Sequence, residues 1–230
     1  MKRPFLLLAT TLFFTTITFA QSAKKIQLGF NLGVKQIHEL ADNSELIKPE
    51  NAVGFNLGLD VFFPLNDRIH LKSGIQYSFL QVKRIDYTWT FGCDFTGNGF
   101  DYFNSWSDDL AMAHMIGIPV EARFRIIGGE NHLYIKTGLQ SLFKVKQNTE
   151  TTFVECKIHR GEPNSSTWGE FAPALFFGNL GLGYEFAVRQ QFKLYVEPQV
   201  EYSLNKIIKE NSRPNNSRIL NVGVICGVRF

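Results

Sequence analysis

Strict alternation of apolar with small or polar residues, recurring in segment after segment, constrains this chain more than any other feature of its sequence. From Ile26 to Lys35, Ile26, Leu28, Phe30, Leu32 and Val34 alternate with Gln27, Gly29, Asn31, Gly33 and Lys35. A period of two puts each set on its own face of a β-strand. The segment Arg218 to Phe230 does the same, with Leu220, Val222, Val224, Cys226, Val228 and Phe230 against Asn221, Gly223, Ile225, Gly227 and Arg229. An apolar strand with an open edge invites aggregation, so such strands must be paired and their apolar faces covered. A closed barrel in lipid meets both demands.

Six further segments carry the pattern. Ala52 to Phe62 sets Val53, Phe55, Leu57, Leu59 and Val61 against Gly54, Asn56, Gly58 and Asp60. Arg68 to about Val82 sets Ile69, Leu71, Ile75, Tyr77 and Phe79 against His70, Lys72, Gly74, Gln76 and Ser78. His114 to Ile126 follows, where Pro119 lacks a ladder donor and predicts a distortion. Leu133 to Val145, Phe171 to Phe186 and Phe192 to Leu204 complete the set; the adjacent Phe176 and Phe177 predict a bulge. The connections run long and short in turn: Gln36–Asn51, Phe63–Asp67, Lys83–Ala113, Gly128–Asn131, Lys146–Glu170, Val188–Gln191 and Asn205–Ser217. Eight strands of about 10 to 13 residues suit a tilted bilayer crossing. The expected fold is therefore all-β, an eight-stranded antiparallel up-and-down transmembrane barrel over residues 21–230, with the long loops at one rim and the short turns at the other.

Met1 to Ala20 reads as a cleaved secretory signal peptide. Lys2 and Arg3 precede the apolar run Phe5 to Phe19, and Thr18-Phe19-Ala20 supplies the small-residue cleavage pattern. A membrane anchor is the alternative, but the run is shorter than the ~20 residues a spanning helix needs. No Cys follows it to carry a lipid. The formal charge of +3 falls to about +1 once Lys2 and Arg3 leave with the leader, which implies no nucleic-acid partner.

Volume assigns the two faces. About forty apolar side chains, mostly large, cannot fit inside a barrel of eight strands, whereas the Gly-rich opposite set can. Lys72, Arg123, Arg125, Lys136 and Arg229 would then share the lumen with Asp60, Glu121, Glu185, Glu197 and Glu201, and pairing about Pro64 would bring His70 opposite Asp60. Buried charges persist when paired, so a cross-lumen ion-pair network that plugs the barrel is expected, with a proton or ion path as the alternative. Aromatics near strand ends, among them Phe63, Phe79, Phe143, Tyr184, Phe186, Phe192, Tyr202 and Phe230, suit interfacial girdles.

With Phe230 ending the last alternating strand, the Gly-alternating strands and the segment Ile118-Pro119-Val120-Glu121-Ala122-Arg123-Phe124-Arg125, the chain resembles the PorT-like outer-membrane β-barrel family. The resemblance covers essentially the whole mature chain. It implies an outer-membrane location, contact with outer-membrane lipid, and assembly by the barrel-assembly machinery through the last strand, with Phe230 as the recognition aromatic. Some members are linked to protein secretion.

Motifs that carry chemistry are few. Cys93 and Cys156 fall in two long loops at one rim of an exported protein; a disulfide and two free thiols are both open. Asp94-Phe95-Thr96-Gly97-Asn98-Gly99 begins like a calcium loop, yet Ser105 stands at the twelfth position and a plain turn explains the same residues. Ser141 and His114 point outward near the long-loop rim, but about 13 Å of strand separates Ile118, the residue opposite Ser141, from His114. No cofactor, metal or catalytic set is expected. The function expected is that of a non-enzymatic binding or assembly component, in its sharper form a secretion accessory, with a protein partner at the long loops, where Trp89, Phe91, Phe103 and Trp106 cluster. The alternatives are a lipid-modifying hydrolase and a soluble, lipocalin-like periplasmic barrel.

Overall fold

In a computed structural model, which describes residues 26–40, 47–91, 102–127, 129, 131–154, 170–189, 192–207 and 217–230, the alternating segments form strands and the strands close on themselves. They are β1 (Gln27–Leu40), β2 (Ile47–Glu50), β3 (Ala52–Pro64), β4 (Ile69–Phe91), β5 (Tyr102–Ile127), β6 (His132–Val154), β7 (Ala174–Arg189), β8 (Phe192–Ser203) and β9 (Arg218–Arg229). Around the barrel the order is β1, β3, β4, β5, β6, β7, β8, β9 and back to β1, every pair antiparallel. The short β2 pairs with Lys83–Asp86 of β4, beyond the stretch of β4 that pairs with β3. It prolongs the wall without adding a ninth stave.

The register can be followed through Leu28, Val61, Ser73, Val120, Leu139, Gly178, Tyr202 and Leu220 to His38. One circuit thus climbs ten residues along β1. With ordinary strand rise and spacing, that stagger sets a tilt of about 40° and a backbone radius of about 8 Å. Such a tube has room for side chains and little else.

Outside, the surface is apolar from rim to rim. Leu28, Leu32, Leu57, Leu59, Ile118, Leu139, Leu180 and Val224 are among the exposed large hydrophobics, Leu59 at 65%. Inside, Lys72, Lys136, Glu197, Glu201 and Arg229 are buried. This is the reverse of a soluble lipocalin-like barrel, whose apolar face lines the cavity, and it sets aside that reading. Tyr184 and Phe186 stack edge-on at 4.5 Å near the short turns, and Phe55, Tyr77, Phe79 and His114 group toward the other rim.

Several sequence expectations shift. The connection expected over Lys83–Ala113 is largely strand, because β4 runs to Phe91 and β5 starts at Tyr102; β6 likewise reaches Val154. These three strands carry the sheet past Ala174, the first residue of β7, as an extension of the barrel wall. The β3–β4 turn is centred two residues later than expected: the amides of Leu65 and Asn66 both bond the Ile69 carbonyl, and Asn66 Oδ1 accepts from the Arg68 and Ile69 amides at 2.8 Å. Pro64 therefore faces His70, and Asp60 faces Gly74 rather than His70. Pro119 does interrupt a ladder: β4–β5 pairing runs to Ser73–Val120 and resumes at Gln76–Gly117, while Ser73 Oγ donates to the Pro119 carbonyl at 2.9 Å. The bulge expected at Phe176-Phe177 is absent from the unbroken β6–β7 register. Phe176 simply points out, 44% exposed, and Phe177 points in.

Candidate functional site

Alternation delivers one inward side chain at every second residue, and in so narrow a lumen those side chains meet across the barrel. At mid-height three cations and three carboxylates interlock. Lys72 lies 3.4 Å from both Asp60 and Glu121, and Lys136 lies 3.5 Å from Glu121 and 2.9 Å from Glu197. Arg123 pairs with Glu197. Two tyrosines tie the network to the wall: Tyr134 donates to Glu197 at 2.6 Å and Tyr195 to Asp60 at 2.7 Å. Asn179 donates to Glu121 at 3.1 Å. The charges cancel, and each buried ion has an opposite partner, the condition under which such groups persist away from water.

Arg123 is also enclosed by aromatics. Its guanidinium carbon is 4.6 Å from the Phe62 ring centre, 4.7 Å from Tyr195 and 5.0 Å from Tyr134. Planar, weakly hydrated guanidinium is the cation best suited to such a cage. The two tyrosine rings fit because the residues beside them are glycines. A Cβ on Gly183 or Gly227 would lie 2.2 Å from the ring of Tyr134 or Tyr195, their respective partners across the ladder.

Above this layer, toward the long-loop rim, Lys35 and Glu201 pair at 3.0 Å, with Gln199 and Asn221 also donating to Glu201. Higher still the lumen turns apolar: Ile37, Leu80, Met115, Leu142, Leu175, Phe177 and Ile219 are buried together. Arg84 clasps Glu39 among them with two hydrogen bonds. Below the central layer, toward the short turns, Glu185 collects Arg229, His132 at 3.1 Å and Lys193 at 3.1 Å, while His70 and Arg125 line the same end. The lumen is thus closed by ion pairs in its middle and by hydrocarbon over them.

Of the residues singled out from sequence, Asp60, Lys72, Glu121, Arg123, Lys136 and Glu197 meet in one network. Glu185, Arg229, His70 and Arg125 gather at the short-turn end, and Glu201 stands apart with Lys35. Phe230 is 56% exposed and exchanges main-chain hydrogen bonds with Leu28, which joins the chain's end to β1. His114 is held by Tyr77 at 2.6 Å, and Ser141 faces Ile118 across the ladder, so the two are not brought together. Cys93, Cys156 and the Asp94–Gly99 loop lie outside the described residues, as does the leader. Sequence reasoning missed Tyr134, Tyr195 and Phe62 as parts of the network, and the whole apolar layer. The available signal for that layer was broken alternation: Phe79-Leu80, Leu142-Phe143 and Phe176-Phe177 are adjacent apolars where one must point inward.

Solved structures align with the chain over most of its length. They include the attachment invasion locus protein Ail of Yersinia pestis, in complex with the heparin analogue sucrose octasulfate (14% identity, 90% of this chain and 100% of that one, TM-score 0.37). OprG of Pseudomonas aeruginosa aligns at 11% identity over 90% and 97% of the two chains, with a TM-score of 0.40. The outer membrane protease OmpT of Escherichia coli aligns at 9% identity over 91% and 97%, with a TM-score of 0.32. At these scores none bears on activity. No curated protein matches. The family described as outer membrane protein beta-barrel domain matches residues 19–209. With its apolar exterior, closed eight-stranded wall and ion-paired lumen centre, the chain belongs to that family and is an outer-membrane β-barrel.

Proposed function

We infer that this barrel is a non-enzymatic binding or assembly component that works through its long-loop rim. The observation that carries this reading is the filled lumen: among the described residues, ion pairs and hydrocarbon stacked across its middle and upper levels leave no aqueous path from one rim to the other, and partner binding falls to the rims. The prolongation of β4, β5 and β6 beyond the start of β7 supplies such a surface. In an outer-membrane barrel the long loops face the exterior and the short turns the periplasm. The finer version is a PorT-like secretion accessory, which the resemblance noted above supports, with Phe230 serving assembly of the barrel. A lipid hydrolase is disfavoured because Tyr77, not Ser141, holds His114.

The test is affinity purification of the tagged chain from mildly solubilised outer membranes, beside a variant in which the β4–β5 connection 92–101 is replaced by a two-residue turn. A protein recovered in near-equal amount with the native chain and lost with the variant is the expected result. Equal recovery with both, or a lone barrel in both, would overturn the reading.

A further inference from the structure

The short-turn mouth of the lumen is unlike the rest. Around it the strands end with Arg68, Arg125, Lys193 and Arg229, and these line a cavity of about 300 Å³ and the narrow throat that leads up from it to Arg123. Among the described residues, the acidic side chains lining the same space are Asp67 and Glu185. Apart from Arg123, which Glu197 pairs, the described residues set four fixed cations against two carboxylates, a surplus of two positive charges at a mouth open to water, before His70 and His132 are counted.

The cations differ in how they are engaged. Glu185 is shared by Arg229, Lys193 and His132. Arg68 and Arg125 have no carboxylate within ion-pair distance among the described residues. At the mouth, Arg125 Nε, Arg229 Nε and His132 Nδ1 are buried and face no hydrogen-bond partner, while the other two guanidinium nitrogens of Arg229 are taken by Glu185 and His70. Arg229 and His132 are 2% and 3% exposed. Buried polar atoms are nearly always hydrogen-bonded, so unpartnered atoms grouped around one cavity mark a place for a ligand. Arginine forks recognise planar or tetrahedral oxyanions through paired N–H donors.

We propose that the periplasmic mouth of the barrel is a binding site for a doubly charged oxyanion, a phosphate or phosphate monoester, held by Arg125 and Arg229 with Lys193 and Arg68 at its edge. A dianion would cancel the surplus charge, and a cavity of this size admits a phosphate with a small organic substituent. The site lies at the opposite rim from the long loops and does not depend on what binds there.

The experiment is titration of the full chain, folded in a phosphate-free detergent such as octyl glucoside, with inorganic phosphate and separately with glycerol 3-phosphate, followed by calorimetry. The variants are Arg125→Gln and Lys193→Gln, neither of which belongs to the central network, and each is first shown to keep the heat-modifiable gel mobility of a folded barrel. Saturable binding of at least one probe, weakened about tenfold or more by Arg125→Gln and less by Lys193→Gln, is expected. Tighter binding of inorganic phosphate points to the free ion as the ligand, and tighter binding of the ester to a headgroup-like monoester. Absence of saturable binding of both probes up to about 10 mM, or binding that folded Arg125→Gln leaves unchanged, would overturn the proposal.

Discussion

Removing Glu197 tests the central network most severely. Its carboxylate is fully buried and receives Arg123, Lys136 at 2.9 Å and the Tyr134 hydroxyl at 2.6 Å. Glu197→Ala leaves two buried cations short of an anion and a hydroxyl without its acceptor. Breaking a buried pair from one side costs about 3–5 kcal/mol, because the remaining charge stays desolvated. Glu197→Gln keeps the volume and deletes only the charge, so it should lose most of the same stability and separate electrostatics from cavity formation. Tyr134→Phe removes a single hydrogen bond to a charged group, about 1.5–3 kcal/mol. With a urea dependence of about 3 kcal/mol per molar, Glu197→Ala should lower the unfolding midpoint by about 1–1.7 M. The assay is reversible urea unfolding of the chain inserted in phosphatidylcholine vesicles, read by circular dichroism. A Glu197→Ala midpoint within about 0.3 M of the native one, or a Tyr134→Phe loss equal to that of Glu197→Ala, would refute the reasoning.

Two further outcomes follow from the two faces of the wall. Leu59→Arg, outward on β3 and 65% exposed, should cost about 2–4 kcal/mol in vesicles, whereas Glu150→Arg on the extension of β6 should stay within about 0.5 kcal/mol; equal effects would remove the lipid assignment of the outer face. Gly183→Ala should destabilise by about 1–3 kcal/mol, because its Cβ would meet the Tyr134 ring at 2.2 Å. Gly178→Ala, whose Cβ meets nothing nearer than Leu204 at 3.7 Å, should be close to neutral in the same unfolding measurement.

The barrel was legible because lipid and a narrow lumen impose opposite demands on alternate residues, and Leu28, Phe30 and Leu32 against Gly29, Asn31 and Gly33 state both at once. The same parity placed Asp60, Lys72, Glu121, Arg123, Lys136 and Glu197 inside. Which of them would touch was not legible, since that depends on the ten-residue stagger of the closed sheet and on turns such as the one around Asp67, where a shift of the turn by two residues moves Asp60 from His70 to Gly74. Tyr134 and Tyr195 were hidden for a related reason. A large ring fits the lumen only beside a glycine on the neighbouring strand, and that pairing of Tyr134 with Gly183 exists only in the folded register. Strand lengths failed in the other direction. Beyond the membrane the outward face no longer needs to be apolar, so the polar stretches of β4, β5 and β6 read as loops although they continue the ladder.

The claim on which the rest depends is that the lumen is closed. Single-channel recording of the purified full chain in planar bilayers addresses it directly. The account predicts insertion, confirmed by protease protection of the barrel, with no conductance steps across ±100 mV, a range of roughly 2.3 kcal/mol per elementary charge in either direction. Reproducible, long-lived open steps from the native chain would contradict it and would turn the ion-pair network from a plug into a path.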